Sequence, residues 1–319
     1  MKKLVVVLLL AIISGLGFAQ MGSTECIAPA GPGGGWDFTC RIPAAKVMTD
    51  LGIVSNMKVT NMSGGGGAIA YGHVVSERNT DENLIVAASA ATATRLAQNV
   101  YAGLSEDDVR WIGAVGADYG VIAVGKNSPY QNLNELLADL TAGKKLSFAG
   151  GGSFGGWDHL KALMLAQAAG IEDLKSVHYV DFDGGGAAMI EILAGRADVF
   201  TGDTSEVLAQ YDAGEVRVLA ILAPVRIERL PDVPTATELG YDVIGGNWRA
   251  FYAPGGISDA AYDKWVSAVD KVAHSDEWEI LRDDNGLARF EKFGAEFDTF
   301  VREQIALIRS ISEELGLVQ

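Results

Sequence analysis

Cysteine is nearly absent from this chain, with only Cys26 and Cys40 in 319 residues. The four histidines, His73, His159, His178 and His274, are scattered without ligand spacing, so no metal site and no other cofactor is expected. Basic residues are also short: 25 Lys and Arg stand against 41 Asp and Glu, a formal charge of −16. That balance argues against nucleic acid or an anionic membrane as partner. Nor is there a long apolar run. The longest, Leu4 to Ile13, falls short of the roughly 20 residues that span a bilayer. It follows Lys2 and Lys3 and leads into Gly17-Phe18-Ala19, with small residues at the positions a signal peptidase reads, so residues 1–19 are expected to be a cleaved leader. Losing its two lysines would take the charge from −16 to −18. Cys26 follows Ser23-Thr24-Glu25, which is not a lipoprotein anchor pattern. The mature protein is expected to be a soluble periplasmic monomer. In that oxidising compartment Cys26 and Cys40 read as a disulfide that clamps the loop between them, worth about 3 kcal/mol.

Glycine is what the chain has in plenty, 39 residues in all, and its clusters recur. Ala28 to Cys40 holds Gly33-Gly34-Gly35 ahead of an amphipathic run with Phe38, Ile42, Ala45 and Met48 near one face. Gly34-Gly35-Trp36-Asp37 returns as Gly155-Gly156-Trp157-Asp158, and Ser63-Gly64-Gly65-Gly66-Gly67-Ala68 is echoed by Asp183-Gly184-Gly185-Gly186-Ala187-Ala188. Each cluster lies between a β-like and a helix-like run. Glycine-rich strand-to-helix loops present unpaired amides at the positive end of a helix dipole, which suits an anion.

Short apolar segments alternating with helical ones predict an α/β fold of two lobes, each a mostly parallel sheet flanked by helices. The expected strands include Lys58 to Asn61, Leu84 to Ala88, Val109 to Val115, Val121 to Val124, Leu146 to Ala149, Val177 to Phe182, Val199 to Thr201 and Val216 to Ala220. The punctuation Lys126-Asn127-Ser128-Pro129 and the run Phe251 to Gly256 suggest two hinge crossings. Lobe one is then 21–124 plus 253–319, and lobe two is 125–252.

The order Pro-Gly-Gly-Gly-Trp-Asp, a glycine cluster after the second strand, Gly152-Ser153 ahead of His159-Leu160, and Pro231-Asp232-Val233-Pro234-Thr235 running to Glu238-Leu239-Gly240 resembles the periplasmic solute receptors of tripartite tricarboxylate transporters. The resemblance covers nearly the whole mature chain, and the Cys-flanked first loop is similar to the tricarboxylate-binding branch. It implies a two-lobed, Venus-flytrap receptor that is not an enzyme. Its ligand would be a small carboxylate held between the lobes, citrate or another tricarboxylate first, and its partners the integral-membrane permease subunits. Where many relatives have Pro-Tyr-Lys-Gly, this chain has Asp181-Phe182-Asp183-Gly184, acid in place of a cation.

The ligand-binding set expected from loops and resemblance is Gly33, Gly34, Gly35, Trp36, Asp37, Gly65, Gly66, Gly67, Ser89, Ala90, Gly152, Ser153, Gly155, Gly156, Trp157, His159, Asp183, Gly184, Asp203 and Arg249. Arg41 and Arg95 are further cations able to offset ligand charge. For Asp37 and Asp158, helix capping is the plainer role. Ser89 and Thr92 also read as N-caps. A mono- or dicarboxylate whose hydroxyl or amino group meets the acids is the alternative ligand. The rival activity is a secreted serine hydrolase, since Gly151-Gly152-Ser153-Phe154-Gly155 fits Gly-x-Ser-x-Gly, with Asp203 or Asp242 and His274 or His159 as partners. A dinucleotide site at Gly65-x-Gly67-x-x-Ala70 lacks the acid expected at the end of the next strand.

Overall fold

The computed structural model describes residues 20–182 and 184–319, so the expected leader and Asp183 lie outside the described residues. Eleven strands are seen among the described residues: β1 (Met21–Ala28), β2 (Val54–Asn61), β3 (Leu84–Ala88), β4 (Val109–Tyr119), β5 (Val121–Gly125), β6 (Ser147–Gly150), β7 (His178–Asp181), β8 (Val199–Phe200), β9 (Val216–Ile221), β10 (Gly246–Pro254) and β11 (Lys292–Phe293). They form two sheets, ordered β11-β4-β10-β3-β1-β2 and β7-β6-β8-β5-β9.

Both sheets are mixed rather than mostly parallel. β1 runs parallel to β2 and β3, and β6 parallel to β7 and β8. The strands that arrive from the other sheet run against them: β10 is antiparallel to β3 and β4, and β5 antiparallel to β8 and β9. Val121–Gly125, expected to finish the first lobe, pairs in the second sheet, so the chain changes sheets at Gly120. The return is at Gly245, just before β10. The two passages are laced together: Gly120 N donates to Gly245 O at 2.9 Å, Gly245 N to Leu222 O at 2.8 Å, and Leu222 N to Gly120 O at 2.8 Å.

The first helical stretch is α-helical over Gly35–Thr39, loosens into a π-helix over Cys40–Val47, and tightens again at Met48–Asp50. Pro43 sits inside the loose part, where its missing N–H and its ring disrupt the normal ladder. The wider turn shifts the buried face to Cys40, Ala44, Val47 and Met48, while Phe38, Ile42 and Ala45 stay partly covered. Cys26 on β1 and Cys40 on this helix are disulfide-bonded, both fully buried, with Cα atoms 5.6 Å apart. The helix Gly294–Leu315 closes the chain against β4 and the helix Ala90–Ala97.

Candidate functional site

The two Gly-Gly-Trp-Asp loops fold by one local device. In the first, the Asp37 carboxylate accepts from the Gly33 amide at 2.8 Å, Arg41 Nε at 2.8 Å and Asn61 Nδ2 at 2.8 Å. Burial pushes this carboxyl up, but Arg41, the Gly33 amide and Asn61 outweigh it and hold it below its ordinary range. Asp37 is thus occupied in knotting its own loop. In the second loop, Asp158 accepts from the Gly151 amide at 2.8 Å and pairs with Lys161 at 2.9 Å, again a cation one turn along.

Lys161 was invisible to sequence reasoning and sits at the centre of this arrangement. Its side chain is fully buried. The ammonium donates to Asp203 at 2.5 Å and to the Gly202 carbonyl at 2.9 Å, besides pairing with Asp158. Its stem lies against Gly120 and Gly245, where any Cβ would strike it, so the two sheet-to-sheet passages close over one lysine. Asp203 also accepts from Asn247 Nδ2 at 2.7 Å.

Around these groups lies a cavity of about 220 Å³ between the two sheets. Of the expected residues, Gly35, Gly152, Gly156, Trp157, Asp203 and Arg249 line it; Arg95, Gly151, Asp158, Glu206 and Asn247 line it as well. Arg249 lies so close over Gly35 that a Cβ there would be 2.6 Å from Nη1 and would displace the guanidinium. Its Nη2 donates to Asp118 at 3.2 Å, and Asp118 reaches across to Ser205, whose amide donates at 3.1 Å. Burial and the neighbouring Asp203 push Asp118 up to about 6 against the pull of Arg249 and Ser205. Arg95 Nη2 donates to Ser153 Oγ at 2.5 Å, a direct bridge between the two halves of the molecule. Burial lowers Arg95, with Tyr101 acting the other way.

Glu206 accepts from the Asp203 amide at 2.9 Å, completing a capping box at the head of the helix Thr204–Asp212. Glycines 185 and 202 lie where a side chain would collide with its carboxylate. Burial, then Asp203 and Asp158, raise it to about 8. Three residues lining the cavity carry buried polar atoms with no partner among the described residues: Trp157 Nε1, Arg249 Nε and Asn247 Oδ1.

The other expected residues that the structure describes are not among those lining the cavity. Trp36 Nε1 donates to Ser89 Oγ at 3.0 Å, and Ser89 caps the helix that begins at Ala90. Gly65, Gly66 and Gly67 all take positive φ, and Tyr101 OH donates to the Gly66 carbonyl at 2.9 Å. Gly33 has φ +88, whereas Gly34 has room for a side chain. Gly184 begins the helix Gly185–Leu193. Gly155 donates its amide to His159 Nδ1 at 2.9 Å and its carbonyl accepts from Gln98 at 2.6 Å. The His159 ring lies between Phe154 and Tyr179, centroids 4.4 and 4.6 Å away, and burial lowers it to about 4. Ser153 Oγ accepts from Arg95, and His159 accepts from the Gly155 amide.

A family profile described as tripartite tricarboxylate transporter family receptor matches residues 44–317. The chain belongs to this family. Members are periplasmic solute-binding proteins that bind small carboxylates and work with membrane transporter subunits. Among curated relatives, Protein BugT of Bordetella pertussis is 27% identical over 237 residues, 73% of this chain and 70% of that protein. A protein from the ttuE–ttuC′ intergenic region of Agrobacterium vitis is 28% identical over 260 residues, 80% of this chain and 72% of the relative. Among solved structures, a TctC solute-binding protein from Polaromonas matches with TM-score 0.75 at 22% identity, covering 92% of this chain and 98% of the other. The malate-bound MatC of Rhodopseudomonas palustris matches at 0.73 and 21%, over 93% and 99% of the chains, and an adipate-bound protein of R. palustris at 0.78 and 18%, over 92% and 97%. These neighbours show the fold to be that of two-lobed periplasmic binding proteins.

Proposed function

We propose that the protein is exported behind the leader 1–19 and acts as a monomeric periplasmic receptor, capturing a small carboxylate and delivering it to permease subunits. The observation that carries this reading is the cavity between the sheets, where Arg95 and Arg249 stand with the unpartnered donors Arg249 Nε and Trp157 Nε1. Guanidinium groups can fork onto a carboxylate, and buried donors without partners are satisfied when one arrives. The two sheets are then the cores of two lobes that hinge where Gly120 and Gly245 lie side by side, and a ligand touching both favours closure.

Citrate could offer two carboxylates to the arginines, but its third would find no further cation among the described residues that line the cavity. A mono- or dicarboxylate is therefore the reading this cleft favours, and the malate and adipate bound by two proteins of the same fold accord with it. A thermal-shift panel tests the class. A ligand at 100 times its dissociation constant adds about 2.7 kcal/mol to stability, so a true carboxylate ligand should raise the melting temperature visibly. Stabilisation by a neutral sugar with none from any carboxylate would overturn the reading.

A further inference from the structure

Resting on the reading of two hinged lobes, we propose that Gln98 and Leu317 form a latch outside the cavity that holds the lobes closed by protein contacts alone. The helix Ala90–Ala97 ends at Gln98, whose side chain is buried. Its Nε2 donates to the carbonyl of Gly155 in the second lobe at 2.6 Å, and to Ser312 Oγ on the closing helix at 3.4 Å. Its backbone carbonyl accepts from the Gln319 amide at 3.0 Å, and Asn99 Nδ2 donates to the Gln319 carbonyl at 3.0 Å. Leu317 packs over Gly155 itself, since a Cβ there would lie 3.2 Å from Leu317 Cδ1. Two side chains of the first lobe thus converge on one residue of the second.

The tail reaches Gly155 because of how its helix ends. Gly316 takes φ +71, a conformation that residues with side chains rarely adopt, and reverses the chain after Leu315. Gly316 N donates to Glu313 O at 3.0 Å and Leu317 N to Ser312 O at 2.8 Å, the paired bonds of a Schellman turn, which swings Leu317 back across the helix end. On the other side, Gly155 at φ +75 gives its carbonyl to Gln98 while its amide is tied to His159 Nδ1 at 2.9 Å. The loop is therefore fixed within its own lobe and offers the latch a rigid target. Gln98, Gly155, Ser312 and Leu317 are not among the residues lining the cavity. Each contact joins protein to protein, so the closed form has a source of stability that does not depend on the solute. The Gln98 carboxamide oxygen also accepts from Arg95 Nη1 at 3.5 Å, which couples the latch to the cation that bridges to Ser153.

The test is double electron–electron resonance on the mature protein, with nitroxides on Glu77→Cys in the first lobe and Lys175→Cys in the second, both exposed positions, the native cysteines being held in their disulfide. Without added solute, the distance distribution should contain a closed population. Gln98→Met, which keeps the stem and removes the amide, and Leu317→Ser should each lower the ratio of closed to open by about threefold or more. Leu317→Met, which keeps the packing, should leave the ratio as in the wild type. Closed and open populations that neither Gln98→Met nor Leu317→Ser shifts would overturn the latch and leave the hinged receptor standing. One distance throughout, the same in the wild type and both variants, would overturn the hinge as well. Should Gln98→Met fail to fold, Leu317→Ser, at a half-buried position in the tail, decides alone.

Discussion

Replacing Lys161 by Met isolates what the buried lysine does. Methionine keeps most of the unbranched stem that packs on Gly120 and Gly245, so the loss is confined to the ammonium and its contacts with Asp158, Asp203 and the Gly202 carbonyl. Breaking a buried ion pair from one side costs about 3–5 kcal/mol, because the surviving charge stays buried without compensation. Here two carboxylates survive, facing each other and Glu206. At roughly 2–4 °C per kcal/mol the melting temperature should fall by roughly 6–20 °C at pH 7. The deficit should also depend on pH. Burial already holds the Asp158 carboxyl above its ordinary range with the lysine present, and removing the ammonium that opposes this raises it further. Protonation then favours the folded state, and stability is lost as pH climbs through the acidic range. Urea unfolding at pH 5 and pH 8 should therefore show a smaller deficit at the lower pH. A deficit below 1 kcal/mol at pH 7, or one equal at both pH values, would refute the reasoning.

Three other outcomes follow from named contacts. Because Glu206 is raised from 4.5 to about 8, the folded state holds a proton that the unfolded chain releases, and stability falls as pH rises between those values. Glu206→Gln should remove that loss and stabilise the unliganded protein by about 1–2 kcal/mol at pH 8, discounted because the carboxyl meets water in the cleft, with little effect below pH 4.5; chemical denaturation across pH checks it. Reducing Cys26–Cys40 should cost about 3 kcal/mol in urea titrations, since the bridge closes a short loop. Gly151→Ala would drive a Cβ into the backbone of Gly184 and Gly185 and should destabilise by about 1–3 kcal/mol, while Gly34→Ala, with its nearest neighbour 3.8 Å off, should leave the melting curve unchanged.

The repeated glycine loops were legible because glycine clusters between β-like and helical runs are visible in the residues themselves, and the recurrence of Trp-Asp after them marked two equivalent halves. The disulfide was legible from a lone pair of cysteines. Lys161 was not, since a lysine in a helix reads as a solvated residue, and only the fold shows the two acids that converge on it. Glu206 was hidden by its own cap: Asp203-Thr204-Ser205-Glu206 is a good helix start whether or not a cleft lies above it. Asn247 lay in a stretch without regular pattern, and the face it shares with Arg249, which was among the expected residues, appears only when β10 pairs with β3 and β4. The mixed direction of the sheets was equally out of reach, because alternation of apolar and helical runs is indifferent to which strands cross over.

The central claim is that one ligand engages both sheets at their glycine loops. Hydrogen–deuterium exchange on the mature protein, with and without a saturating acid found to bind, tests it most directly. The account predicts slower exchange in peptides covering 31–38 of the first half and 150–157 of the second, together with those at residues 118–122 and 243–249 where the chain passes between sheets. Protection confined to one half, or none at either loop while the ligand is demonstrably bound, would contradict it.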